Sequence, residues 1–181
     1  NNDSGYRTAR DLRAKGVRVA AIFDSRKTAA VPDAGGVEVM TGAVITSVGG
    51  GLGVKNVSFD RGRGEEHIDC DFVAMSGGFN PNVQLACHRG AKPRWSEELQ
   101  AFVPPDNGSA LVAAGAAKGS MLISECLREG AQTGAQAASD TGFHCKAVAV
   151  PLTRDDVYSI APLWWVKEST AKAFVDFQND V

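Results

Sequence analysis

Residues Leu111–Gly130 read LVAAGAAKGSMLISECLREG. Small apolar residues lead into Gly115, a glycine-containing loop follows, and from about Leu122 apolar residues recur at helical spacing. Strand, glycine turn and helix start, in that order, predict a corner whose N–H groups and helix dipole face an anion. Open α/β folds hold a dinucleotide pyrophosphate in this way. A strand over Leu111–Ala114 and a helix over about Leu122–Ala138 are expected. The competing reading is a packed corner without a ligand.

The segments before this corner have the texture of an α/β protein. Asp3 or Ser4 can cap a helix of about 11 residues with Ala9 and Leu12 on one face, and Gly16 is placed to end it in a left-handed conformation. VRVAAIF, Val17–Phe23, is a continuous apolar β-prone run of the kind buried in a parallel sheet, and it ends in Asp24. From Val37 the pattern changes to short alternating stretches, VEVM, AVITSV, LGVKNVSF and EHIDC, which predict an antiparallel meander. DFVAMSGGFNPN, Asp71–Asn82, reads as another buried strand leaving through Gly77, Gly78 and a turn at Pro81 and Asn82. A short hairpin around Trp95 and Phe102 turns at Glu97 and Glu98. From Cys145 onward the texture is that of a small separate domain, with Trp164 and Trp165 in need of a partner surface.

The totals narrow the function classes. The chain has 181 residues, of which 44% are hydrophobic and 22% charged, enough for one or two small folded domains. A net charge of −2 gives no long-range attraction for nucleic acid or an acidic membrane surface. The four cysteines form no CxxC pair for zinc or redox exchange and are expected to be reduced, mostly buried thiols. No apolar run of membrane-spanning length and no signal peptide is visible, so the cytoplasm is the expected location. The sequence begins at Asn1 inside an apparent strand-to-helix turn and stops at FVDFQNDV without a closing loop, so an internal piece of a longer polypeptide is expected.

Individual candidates have competing readings. Asp24, at a strand end, can accept ribose hydroxyls of an adenosine, or it can simply pair with Arg26. His67, His88 and His144 lie in unrelated segments and show no nucleophile or metal spacing. RGRG, Arg61–Gly64, reads as a solvated hairpin end, and KPRW, Lys92–Trp95, as a hairpin strand rather than a cation–π cage. The exit SGGFNPN resembles the segment where two-dinucleotide-domain flavoproteins return from their inserted nucleotide domain to the first one. In that family the Gly115 corner ends in Gly-Asp, the carboxylate taking a sugar hydroxyl, whereas here Ala116 follows Gly115.

AFVDFQNDV (Ala173–Val181), WWV (Trp164–Val166) and the helix GAAKG…CLREGAQTGAQAA resemble the α-subunit family of heterotetrameric sarcosine oxidases, and so do NNDSGY, SGGFNPN and the Gly-Ala corner. The resemblance covers the whole chain and places it in the middle of a much longer subunit. It implies an α/β fold built of Rossmann-like FAD/NAD(P)-binding pieces, an antiparallel meander and a small C-terminal α+β tail. The implied domains are residues 1–75, an inserted nucleotide-binding-like domain without its first strand, 76–144, the end of the dinucleotide-binding domain, and 145–181, the start of a linker domain.

For function it implies oxidative demethylation of sarcosine to glycine, formaldehyde and hydrogen peroxide, or to methylene-tetrahydrofolate with tetrahydrofolate as co-substrate. NAD would sit in this subunit against Gly115, Ala116, Met121 and Ile123, with FMN at the α–β interface and FAD on the β subunit. The implied partners are the β, γ and δ subunits, with no nucleic acid and no membrane. No catalytic or metal-binding residue falls in this chain, so the segment alone would be inactive. The alternatives are a fragment of a pyridine-nucleotide-disulfide-type oxidoreductase using Asp24, a related proline, opine or dimethylglycine dehydrogenase subunit, and a non-catalytic assembly module.

Overall fold

The computed structural model describes residues 1–27, 30–88, 90–105, 111–146, 148–156 and 158–170. They belong to two compact units, Asn1–Gly77 with Ala161–Val181, and Gly78–Ile160.

The first unit opens with helix α1, Ser4–Ala14, which buries Tyr6 and Ala9. Asn2 caps it: its Oδ1 accepts the Ser4 N–H at 3.0 Å and the Ser4 hydroxyl at 2.7 Å. This satisfies one of the donors that every helix start leaves without an intrahelical partner. Asp3 makes no capping bond. Its carboxylate is drawn away to Arg26, 2.7 Å distant. The expected stop holds, with Gly16 at φ +84° and the Val17 N–H donating back to Leu12 O.

Strand β1, Ile22–Asp24, pairs in parallel with β2, Val39–Thr41. β2 was expected in the meander and instead joins β1, for a reason visible in the packing. Both faces of the pair are covered, as parallel strands require. Tyr6, Ala34 and Val37 pack with Ile22 and Val39 in one cluster, and Met40, Ala43 and Phe59 pack with Phe23 in the other.

The meander itself forms as expected, from β3, Val44–Gly49, β4, Asn56–Asp60, and β5, Glu65–Asp69, all antiparallel in the order β3-β4-β5. Val57 and Phe59 point into the core from alternate positions of β4. The RGRG stretch is a hairpin end: Asp60 Oδ1 accepts the N–H groups of Gly62 and Arg63, and Gly62 and Gly64 take positive φ. Two apolar runs read as buried strands stay outside any ladder. Residues 17–21 and 71–76 lack a strand partner among the described residues, and Phe72 and Met75 are 73% and 93% exposed.

The second unit contains a single helical turn α2, Gln84–Cys87, and the expected hairpin of β6, Arg94–Ser96, with β7, Ala101–Val103. Trp95 and Phe102 meet edge to face at 5.1 Å across it. A 3₁₀ turn, Gly115–Ala117, and helix α3, Ile123–Asp140, complete the unit. Residues 111–114, expected as a strand, join no ladder. The result is a mixed α/β architecture of small sheets with an antiparallel meander. The described part of 145–170 forms no helix or ladder strand, and Ala173–Val181 lies outside the described residues. Among the described residues no helix is long and apolar enough to cross a membrane.

Phe59 is 1% exposed and its ring centroid lies 4.7 Å from that of Phe23. Phe59→Ala is expected to destabilise the first unit by about 3–5 kcal/mol through lost transfer energy and a cavity. Urea unfolding measures it, and a loss under about 1 kcal/mol would contradict a core at this position.

Candidate functional site

Helix α3 starts where the sequence places it, and the turn before it is organised by Gly115. This residue is buried at φ +62°. A Cβ there would meet Cys126 Cβ at 3.3 Å and Sγ at 3.4 Å, so only glycine suits both the conformation and the space. Its carbonyl accepts the N–H groups of Lys118, Gly119 and Ser120, which winds the chain tightly into α3.

The corner is less open to an anion than its sequence implies. Glu129, on α3, accepts the Gly115 N–H at 2.9 Å and the Ser120 hydroxyl at 2.8 Å, with the Lys118 ammonium 3.6 Å away. Burial opposes ionisation of Glu129, but these donors outweigh it and its pKa falls below the ordinary carboxylate value. Asp155 occupies the helix start in the same way, accepting both the N–H and the hydroxyl of Ser124. Those two bonds lower the Asp155 pKa as well. Two carboxylates therefore already complement the positive end of the α3 dipole.

Of the four residues expected at a dinucleotide, all lie on this turn. Gly115 spends its N–H on Glu129. Ala116 is exposed, Met121 is half-buried, and the Ile123 side chain is 50% exposed at the first position of α3. Among the described residues, no acceptor takes the N–H of Ala116 or of Met121. The corner thus offers two backbone donors and an apolar side chain, and no carboxylate at position 116.

Asp24 has a different role from the ribose acceptor considered above. It is 2% exposed at the end of β1 and fully engaged. Arg26 donates to it from Nε at 3.0 Å, from Nη2 at 2.8 Å and from its backbone N–H at 2.9 Å, and the Tyr6 hydroxyl donates at 2.7 Å. The same Arg26 Nη2 donates to Asp3 Oδ1 at 2.7 Å. Burial alone would raise the Asp24 pKa. The Arg26 guanidinium, the Tyr6 hydroxyl and the Arg26 N–H reverse this, and the carboxyl titrates at about 2. Burial and the Asp24 charge in turn push the Tyr6 phenol above its usual range.

The SGGFNPN exit is a true backbone reversal. Gly78 takes φ +104°, and a Cβ on it would collide with the Ile160 side chain. The Phe79 N–H donates to the Tyr158 hydroxyl at 3.0 Å. The four thiols are free; Cys70, Cys87 and Cys126 are half-buried and Cys145 is exposed, less buried than expected. Among the described residues no three His, Cys, Asp or Glu side chains gather into a metal-binding group.

No family model matches the chain. It is 41% identical over 182 residues to a sarcosine oxidase subunit alpha of Rhizobium meliloti (strain 1021), and the match takes in 99% of the chain. The chain is homologous to a segment of the sarcosine oxidase α subunit. Subunits alpha from Corynebacterium sp. strains P-1 and U-96 are each 34% identical over 99% of the chain. The chain spans about a fifth of the length of these curated relatives, 18% in the first and 20% in the others. The FVDFQND segment that carried much of the resemblance to sarcosine oxidase in the sequence lies outside the described residues.

Sequence reasoning placed the corner but missed the two residues that fill it. Glu129 and Asp155 act across 14 and 31 residues respectively. Only Glu129 left a trace, as an acidic residue on the helix that follows a glycine turn.

The depressed Asp24 pKa has a defined consequence. A carboxyl whose folded pKa lies below its unfolded value stabilises the fold above the unfolded value near 4 and loses that contribution as pH falls toward 2. Carboxyl-detected NMR is expected to show Asp24 titrating near 2 in the native chain and clearly higher in Tyr6→Phe, which removes one donor. A native titration near 4 would contradict the hydrogen-bond count.

Proposed function

We propose that this chain is the NAD-binding middle segment of the α subunit of a multi-subunit sarcosine oxidase, holding the cofactor and supporting assembly while the chemistry takes place elsewhere. The observation that carries this reading is the match to sarcosine oxidase α subunits over 99% of the chain. The complete oxidase would demethylate sarcosine oxidatively to glycine, with formaldehyde or methylene-tetrahydrofolate and hydrogen peroxide as the other products. FMN at the α–β interface, FAD on the β subunit and the γ and δ subunits complete the proposed assembly. A cytoplasmic location belongs to the same proposal.

The Gly115 corner fits a structural dinucleotide better than a reactive one. Ala116 and Met121 each bring a backbone N–H that no acceptor takes among the described residues, and Ile123 brings exposed apolar surface. Backbone N–H groups at a helix start suit a pyrophosphate, and an apolar side chain suits a flat ring. Glu129 and Asp155 already occupy the N–H groups of Gly115 and Ser124, which leaves those of Ala116 and Met121 for an anion. When bound, NAD would supply an anionic bridge and two ring systems as packing elements.

The assembly role has its own support. Leu163, Trp164 and Trp165 are 44%, 71% and 65% exposed, and aromatic side chains at that exposure are enriched where proteins meet. The reading as a nicotinamide oxidoreductase using Asp24 loses its main residue, because Tyr6 and Arg26 already engage that carboxylate.

Titrating NAD into the chain and following the amide signals of Gly115, Ala116, Met121 and Ile123 tests the cofactor assignment. Saturable shifts at Ala116 and Met121, with Gly115 moving less because Glu129 holds its N–H, are expected. Saturable shifts elsewhere with none at this turn would move the site. The isolated chain is expected to turn over no sarcosine.

A further inference from the structure

Helix α1 and the residues just after it concentrate positive charge that the fold leaves unpaired. Residues 7–18 hold five of the chain's 19 cationic side chains, Arg7, Arg10, Arg13, Lys15 and Arg18, and one of its 21 carboxylates, Asp11. All five cations are exposed. Asp11 lies 4.0 Å from Arg7, one helical turn away. Among the described residues no carboxylate pairs with Arg10, Arg13, Lys15 or Arg18. The helix dipole accounts for cations at the C-terminal end of α1, where Arg13 and Lys15 stand. It does not account for Arg7 and Arg10 in the first two turns, or for Arg18 beyond the helix.

We propose that this basic face of α1 is a docking surface for a carboxylate-rich stretch of another subunit. The proposal rests on the multi-subunit reading given above and names the surface and the chemistry of one contact within it. Three observations select this occupant. First, four of the five cations are arginine. A guanidinium presents a planar fork that matches a carboxylate at two points, and arginine is enriched where proteins meet while lysine is depleted. Second, Arg10 and Arg13 rest on the loop between the buried Ala34 and Val37. A Cβ on Gly35 would come within 3.1 Å of Arg10 Cγ, and one on Gly36 within 3.0 Å of Arg13 Nη1. Side chains already laid against a surface lose less freedom when their charged ends are engaged, and a face that only meets water needs no such support. Third, with these five cations removed from 19 and Asp11 from 21, carboxylates outnumber cations in the rest of the chain. That surround repels a long polyanion such as nucleic acid and suits a short acidic segment. Arg7, Arg10 and Arg13 rise along about 9 Å of the helix axis, a length that two or three carboxylates on one face of a helix or strand can follow.

Zero-length cross-linking tests the assignment in the complete α subunit purified with co-expressed β, γ and δ subunits. A water-soluble carbodiimide joins the Lys15 amine to a carboxylate only where the two touch, and the joined peptides are identified by mass spectrometry. The expected product links Lys15 to an Asp or Glu of another subunit. Its yield is expected to fall at least about 10-fold in the double variant Arg7→Glu, Arg10→Glu. The charge-keeping variant Arg7→Lys, Arg10→Lys is expected to retain it within about threefold. A second measurement needs no variant to fold: raising salt from about 0.05 M to about 0.5 M is expected to lower the yield in the native complex at least about 5-fold. An assembled complex in which Lys15 links only within its own polypeptide, or stays unlinked, would overturn the proposal while leaving the assembly reading in place. So would a link to a second copy of the same subunit, recognised by mixing isotopically labelled and unlabelled chains, and so would co-purified nucleic acid whose digestion exposes Lys15 to acetylation. An α subunit that purifies without the other subunits would contradict the assembly reading and the docking surface together.

Discussion

The Asp24 carboxylate organises the first unit. It sits at the end of β1 and is reached by Tyr6 from α1 and by Arg26 from the following loop, while Arg26 also holds Asp3 ahead of α1. A buried charge is tolerated only when paired and hydrogen-bonded, and here the donors come from Arg26, just after β1, and from Tyr6 on α1. The helix is therefore fixed to the strand at one end by this cluster and along its length by Tyr6 and Ala9. The arrangement also has a functional cost, since a carboxylate committed to Arg26 and Tyr6 is not available to a ribose.

The second unit repeats that logic. Glu129 and Asp155 are placed on N–H groups that the sequence pattern offers to a ligand. A glycine turn before a helix creates donors, and it does not decide what accepts them. In this chain part of the acceptor set is internal. Under the proposed function, what remains for a dinucleotide is the backbone at Ala116 and Met121 with Ile123 beside it.

Local patterns were legible in the sequence, while pairings across long separations were not. Helix α1 with its stop at Gly16, the three-stranded meander, the hairpin of Trp95 and Phe102, and α3 all follow from short-range periodicity and turn chemistry. The parallel pairing of β2 with β1 depends on burying Val39 and Met40 on two faces at once, which alternation in VEVM does not reveal. The strands read into residues 17–21, 71–76 and 111–114 rest on apolar composition alone, and a strand needs a neighbour as well as a composition. At the candidate site the glycine geometry was readable, but the carboxylates that occupy it were not, because nothing local marks Glu129 or Asp155 as partners of Gly115 and Ser124.

A double-mutant cycle on Asp24 and Arg26 tests the organising role most directly. Asp24→Asn, Arg26→Met and the double variant are unfolded in urea and compared with the native chain. Removing Arg26 leaves the buried Asp24 carboxylate uncompensated, so Arg26→Met is expected to cost about 3 kcal/mol. Asp24→Asn is expected to cost less, because Arg26 keeps its pair with Asp3, and the double change is expected to fall well short of the sum. A coupling of at least about 1.5 kcal/mol is the expected result. Additive losses would show that Asp24 and Arg26 act independently and that the first unit does not depend on their contact.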